Sequence, residues 1–164
     1  MVNTRDMRKG FTLIELLIVM AILGILSTLG IGNFQSSRIK ARDLSKKSDL
    51  QTIAKSLEAY ANDHRTYPRS DGSSGKIICK TNNDVCDWGQ VFSDGANLSE
   101  SKTIYAAKLP TAPSGVYWYT SIDGTSYTLS TSLENSNDQS IIPEFFCNGS
   151  SGVKCNYKIT SSNI

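Results

Sequence analysis

Gly10-Phe11-Thr12-Leu13-Ile14-Glu15-Leu16-Leu17-Ile18-Val19 is the stretch on which the fold turns. It opens a run from Phe11 to Ile31, 21 residues with a single charge, Glu15. At 1.5 Å per helical residue that run is about 30 Å long, the thickness of a bilayer's hydrocarbon core. The decapeptide before it, Met1–Gly10, is basic through Arg5, Arg8 and Lys9. A secretory signal peptide has a shorter apolar region and a small-residue cleavage site behind it, and no clean Ala-x-Ala ends this one. Ala21, Gly24, Ser27, Thr28, Gly30 and Gly32 are small enough to let helices approach closely. Glycine also weakens a helix by about 1 kcal/mol relative to alanine, so Gly30-Ile31-Gly32 is the expected place for a bend or for melting.

Beyond Gly32 the pattern turns amphipathic. Leu50, Ile53, Ala54, Leu57, Tyr60 and Ala61 recur at spacings of three and four, with Lys55, Glu58 and Asn62 between them. No proline interrupts Phe11 to Tyr67, and Pro68 disfavours helix at the residue before it. One helix from Phe11 to about Asn62 or His64 is therefore expected, its first half suited to lipid and its second offering one apolar stripe. Val116–Ser121 and Tyr127–Thr131 are rich in β-formers and flank Asp123-Gly124, a hairpin signal. Further strands are expected near Ile104–Leu109 or Val153–Ile159, and polar loops at Arg69–Lys76 and Glu134–Ser140. The fold class is α+β, a long N-terminal helix packed on a small antiparallel sheet. Its expected divisions are residues 1–10, an apolar transmembrane helix at 11–32, its amphipathic continuation at 33–64, and a globular head at 65–164.

A head of roughly 100 residues is small enough that extra staples are common. Four cysteines are present, and four allow three connectivities. The local loops Cys79–Cys86 and Cys147–Cys155 are favoured, because each pair is self-contained and short loops close easily. A zinc site is the rival, but zinc pairs usually sit two to four residues apart, and neither pair does. Disulfides imply that the head matures outside the cytosol. The topology signal is mixed: Arg5, Arg8 and Lys9 precede the apolar run, yet Arg38, Lys40, Arg42, Lys46 and Lys47 follow it. The cysteine argument decides for an external head. Removing residues 1–10 brings the formal charge from +2 to zero, so the head is not an electrostatic trap for nucleic acid.

Glu15 is the one residue the apolar run does not explain. A carboxylate is costly in a membrane, less so near the interface, and a helix N-terminus favours an anion. A cut between Gly10 and Phe11 would create an α-amine one helical turn before it. Two partners then compete: the chain's own amine, with no functional gain, or the amine of a neighbouring chain. In the second case a charge that only a partner neutralises drives and registers assembly.

Lys9-Gly10-Phe11-Thr12-Leu13-Ile14-Glu15-Leu16-Leu17-Ile18-Val19 closely resembles the class III leader junction of type IV pilins and type II secretion pseudopilins. The resemblance covers about Arg8 to Tyr67 in detail, and the head only in plan. It implies cleavage after Gly10 by prepilin peptidase, methylation of the Phe11 amine, and Glu15 facing a neighbour's N-terminus. It also implies a pilin-like fold and a filament of this chain with itself and related pilins. Assembly would use an inner-membrane platform, with the bilayer as host beforehand. One departure is Gly32, where many members carry a proline. Glu134, Asn135 and Asp138 lie roughly where major pseudopilins bind calcium and are weak candidates for that ion; no other cofactor is expected.

The basic run Arg38–Lys47 reads first as a solvated helix face, and second as a contact to anionic headgroups or to acidic patches of neighbours. His64 has no Ser/His/Asp or Cys/His grouping around it in the sequence, so no enzymatic role is expected. Trp88 and Trp118 read as core or loop anchors, the Cys147–Cys155 loop as a staple or a displayed surface, and the Asn97 and Asn148 sequons as chance. The expected function is a structural subunit of a type IV pilus, in the inner membrane as a single-pass precursor and on the cell surface once assembled. A type II secretion pseudopilin is the alternative, and a membrane-anchored monomeric binding protein is a rival of another class.

Overall fold

Leu50, Ile53, Leu57 and Ala61 form the helix face on which the head is built, all of them fully buried or nearly so. In the computed structural model the described residues are 10–79, 84–94, 103–148 and 152–161, without the side chains of 28–33. Helix α1 spans Leu13–His64 and runs through Gly30-Ile31-Gly32 as helix. The chain divides into two units, residues 1–38 and 39–164. In the first unit every described side chain from Gly10 to Ser27 is exposed.

The second unit holds the rest of α1 and the strands. After His64 the chain leaves the helix at Arg65, whose φ of 61° is left-handed, and its N–H donates to the Ala61 carbonyl at 2.8 Å. That is an αL cap with arginine where glycine is usual. A hairpin of β1 (Ile77–Ile78) and β2 (Val85–Cys86) follows, then a pair of β3 (Phe92–Ser93) and β4 (Ile104–Ala106). The central sheet has three antiparallel strands, β5 (Trp118–Thr120), β6 (Thr128–Thr131) and β9 (Tyr157–Thr160), with β6 in the middle. Beside it β7 (Phe145–Phe146) pairs with β8 (Lys154–Cys155).

Side-chain alternation decides what each face of the sheet does. Leu129 lies between Tyr119 on one side and Ile159 on the other, and this row joins the core of the helix stripe. Trp118 points to the opposite face and is covered by Cys147, Cys155 and Phe145. Gly75, at φ 68°, packs flat against the Trp118 ring, where any added Cβ would collide with the indole.

The α+β expectation holds. The hairpin about Asp123-Gly124 exists as β5 and β6, though the connection from Ser121 to Tyr127 is longer than a two-residue turn. Asp123 organises it by accepting the Thr125 N–H at 3.1 Å and hydroxyl at 2.9 Å. Both further strand regions form, as β4 and as β8 with β9. Two-residue strands β1, β2, β3 and β7 carry too little pattern to be read from sequence.

Candidate functional site

Phe11 is 91 % exposed and opens a surface on which Leu13, Ile14, Leu17, Met20, Ile25 and their neighbours are all exposed. Continuous apolar surface of this kind marks a contact with lipid or protein. Among the described residues no helical stretch is long and apolar enough to cross a membrane. The expected span at 11–32 includes residues whose side chains lie outside the described set, as do residues 1–9 of the expected leader.

Two glycines here are not required by the fold. A Cβ added at Gly10 or Gly24 would meet nothing within 4 Å, and neither residue has a positive φ.

Glu15 is held by its own turn. The Thr12 N–H donates to Glu15 Oε2 at 2.9 Å and the Thr12 hydroxyl to the same oxygen at 2.7 Å. In return the Glu15 N–H donates to the Thr12 hydroxyl at 3.3 Å. This is a capping box, with Thr12 at the N-cap and Glu15 three residues on. The Thr-x-x-Glu spacing is its sequence signature, which a reading confined to amine partners passes over. Both bonds to the carboxylate fall on Oε2. Oε1 receives no hydrogen bond among the described residues.

In the head, Cys79 pairs with Cys86 and Cys147 with Cys155, at Cα separations of 5.6 Å and 5.4 Å. Trp118 is the buried anchor of the second loop, and Trp88 packs edge-on against Tyr117. His64 stacks on Tyr60 and lies 3.1 Å from the Tyr105 hydroxyl and 3.4 Å from Asp94. The Asn97 sequon lies outside the described residues, and that at Asn148 runs out of them.

Only part of the basic run is the solvated face it reads as in sequence: Arg38 and Lys40 are exposed, whereas Arg42, Lys46 and Lys47 meet carboxylates of the head. Lys46 is 1 % exposed, and its ammonium donates to the Ser132 carbonyl at 2.8 Å and to Glu134 Oε1 at 3.1 Å. Arg42 donates to both oxygens of Glu134, at 3.1 Å and 2.5 Å. Lys47 holds both oxygens of Asp138 at 2.7 Å. Buried Asp43 accepts the Glu134 N–H at 2.9 Å and the Asn135 N–H at 2.7 Å. Of the weak calcium candidates, Glu134 and Asp138 are thus engaged with α1 through their carboxylates, and Asn135 through its backbone N–H, its side-chain oxygen accepting the Asn137 N–H at 3.3 Å. Among the described residues no group of three His, Cys, Asp or Glu side chains is disposed to hold a metal ion.

Known proteins bear on both halves of the chain. Residues 5–31 match the family described as the prokaryotic N-terminal methylation motif. The type II secretion system core protein G of Pseudomonas aeruginosa is 32 % identical over 113 residues, which cover 68 % of this chain and 71 % of that protein. Those of Dickeya chrysanthemi and Escherichia coli are each 32 % identical over 73 residues, 44 % of this chain. Against those two the chain spans about half the length of the relative, 48 % and 50 %. No solved structure matches. These names favour the secretion alternative over the pilus subunit placed first on sequence.

Proposed function

The chain belongs to the family of the type II secretion system core protein G, and we propose that it is the structural subunit of a secretion pseudopilus. It is made as a prepilin, cut between Gly10 and Phe11 by prepilin peptidase, and methylated at the Phe11 amine. It waits in the inner membrane by residues 11–32 with its head outside, then enters a filament with itself and related pilins through the assembly platform.

The observation that carries this reading is an apolar stretch, helical from Leu13, that is exposed at every residue from Phe11 to Ser27. Trading lipid for protein around such a helix gains little hydrophobic free energy, so direction must come from elsewhere. Glu15 supplies it: its Oε2 is occupied by Thr12, and its Oε1 is left for the Phe11 amine of an adjoining subunit. The capping box survives cleavage, since it uses the Thr12 N–H and hydroxyl, and neither belongs to the bond that is cut. Gly10, which this fold does not need, is the residue after which the cut falls.

The second reading is a type IV pilus subunit, which the two disulfide loops on the head favour. Glu15→Gln and Glu15→Ala variants expressed in the native cell test the common claim. Sheared filaments should be abolished or strongly reduced, while the head keeps its thermal midpoint. Filaments at the normal level from either variant would remove Glu15 from the mechanism. Mass analysis of the mature N-terminus should find N-methyl-Phe11, and deletion of the secretion platform or the pilus platform separates the two readings.

A further inference from the structure

We propose that Lys46, with Arg42 and Lys47, is an internal cation that closes the 132–140 loop on α1 in the place of a divalent ion. The ligand types around Lys46 Nζ are those a hard cation takes: the Ser132 carbonyl at 2.8 Å, Glu134 Oε1 at 3.1 Å and Asp43 Oδ1 at 3.8 Å. They converge on an ammonium that is itself 1 % exposed.

The remaining oxygens are also spoken for. Glu134 Oε1 receives the Ser114 hydroxyl as well as Arg42 Nε, and Oε2 receives the far end of the same guanidinium. Both oxygens of Asp138 meet Lys47, and the Ser140 hydroxyl adds to one of them. The Asp43 carboxylate is turned to the backbone, accepting the N–H groups of Glu134 and Asn135. Charge makes the same point. Three cations face the three carboxylates Asp43, Glu134 and Asp138, so the cluster is formally neutral, and a divalent ion entering it would meet three like charges at close range.

The loop is therefore set when the chain folds, whatever the divalent-ion activity around it. This inference rests on the head alone and stands or falls separately from the filament reading. The test uses the full chain in detergent micelles. Thermal unfolding in millimolar calcium and in excess chelator should give the same midpoint; a midpoint raised by calcium would overturn the proposal. In Lys46→Met, which removes the ammonium and keeps the chain length, the Glu134 and Asn135 amides should exchange about tenfold faster or more. The Leu129 and Ile159 amides of the sheet should keep their protection. Unchanged protection at Glu134 and Asn135 would equally overturn it. The calcium comparison on the unaltered chain decides the matter even where the variant does not fold.

Discussion

At the scale of single residues, the decisive side chains are charged groups in places where charge is expensive. Glu15 sits in an apolar helix and is half-satisfied by Thr12. Lys46 and Asp43 sit at 1 % and 2 % exposure beneath the loop at the end of β6. Breaking one partner of such a cluster leaves the others unpaired, which is why buried ion pairs tolerate single substitutions badly. Glu134 reports on the cluster through acid. The Arg42 guanidinium first, then the Ser114 hydroxyl, hold its carboxyl down at about 2, against an ordinary 4.5. A depressed carboxylate contributes stability above its unfolded value and loses it as pH falls through the folded one. The thermal midpoint of the unaltered chain should thus decline between about pH 4.5 and about pH 2. Glu134→Gln should start lower at neutral pH and converge on the unaltered chain at the acid end. A constant gap across that window would show that the carboxylate's charge contributes nothing.

At the scale of the element, α1 is two surfaces in one helix. Its second half buries Asp43, Lys46, Leu50, Ile53, Leu57 and Ala61, a series at spacings of three and four. The apolar reading begins this stripe at Leu50, because the two positions before it are charged and a hydrophobic pattern cannot see them. The same helix half is fastened by tyrosines reaching its carboxylates. Tyr117 donates to Asp49 at 2.6 Å, Tyr67 and Tyr127 to the two oxygens of Glu58, and Tyr105 to Asp63. Burial first, and the neighbouring carboxylate second, push the Tyr67 and Tyr105 hydroxyls up to about 12. Two leucines separate depth from residue type. Leu57 is fully buried and Leu44 is 66 % exposed. Leu57→Ala should cost about 2–5 kcal/mol of stability, by transfer and cavity terms together. Leu44→Ala should stay within about 0.5 kcal/mol. Urea midpoints compare the two directly; equal losses would mean that the stripe is not the core of the head.

At the scale of the whole molecule, the described residues of the head form a modest core spread over one three-stranded sheet and three small strand pairs. Short pairs of this kind are marginal alone, and the disulfides close two of them. Cys147–Cys155 also covers Trp118 on the sheet face turned away from the helix stripe. Replacing both cysteines with serine should lower stability by about 2–3 kcal/mol, from loop closure in the unfolded chain. It should also move Trp118 emission to longer wavelength as the indole loses its cover. A stability loss without that shift would assign the loop a purely entropic role.

Local information was enough for several features. The apolar run, the Gly10–Glu15 junction and the three-and-four spacing from Leu50 to Ala61 are written in consecutive residues, so sequence alone fixes the helix and its exposed apolar face. The β-rich segments either side of Asp123-Gly124 fix the sheet's first pair for the same reason. The destiny of the basic run was not legible. Whether Arg42, Lys46 and Lys47 face water or carboxylates depends on Glu134 and Asp138, some 90 positions further along. Only the packing of β6 and its loop against α1 brings those charges within reach. A lone lysine or glutamate carries no mark of its partner, and pairing across that distance is a property of the folded chain.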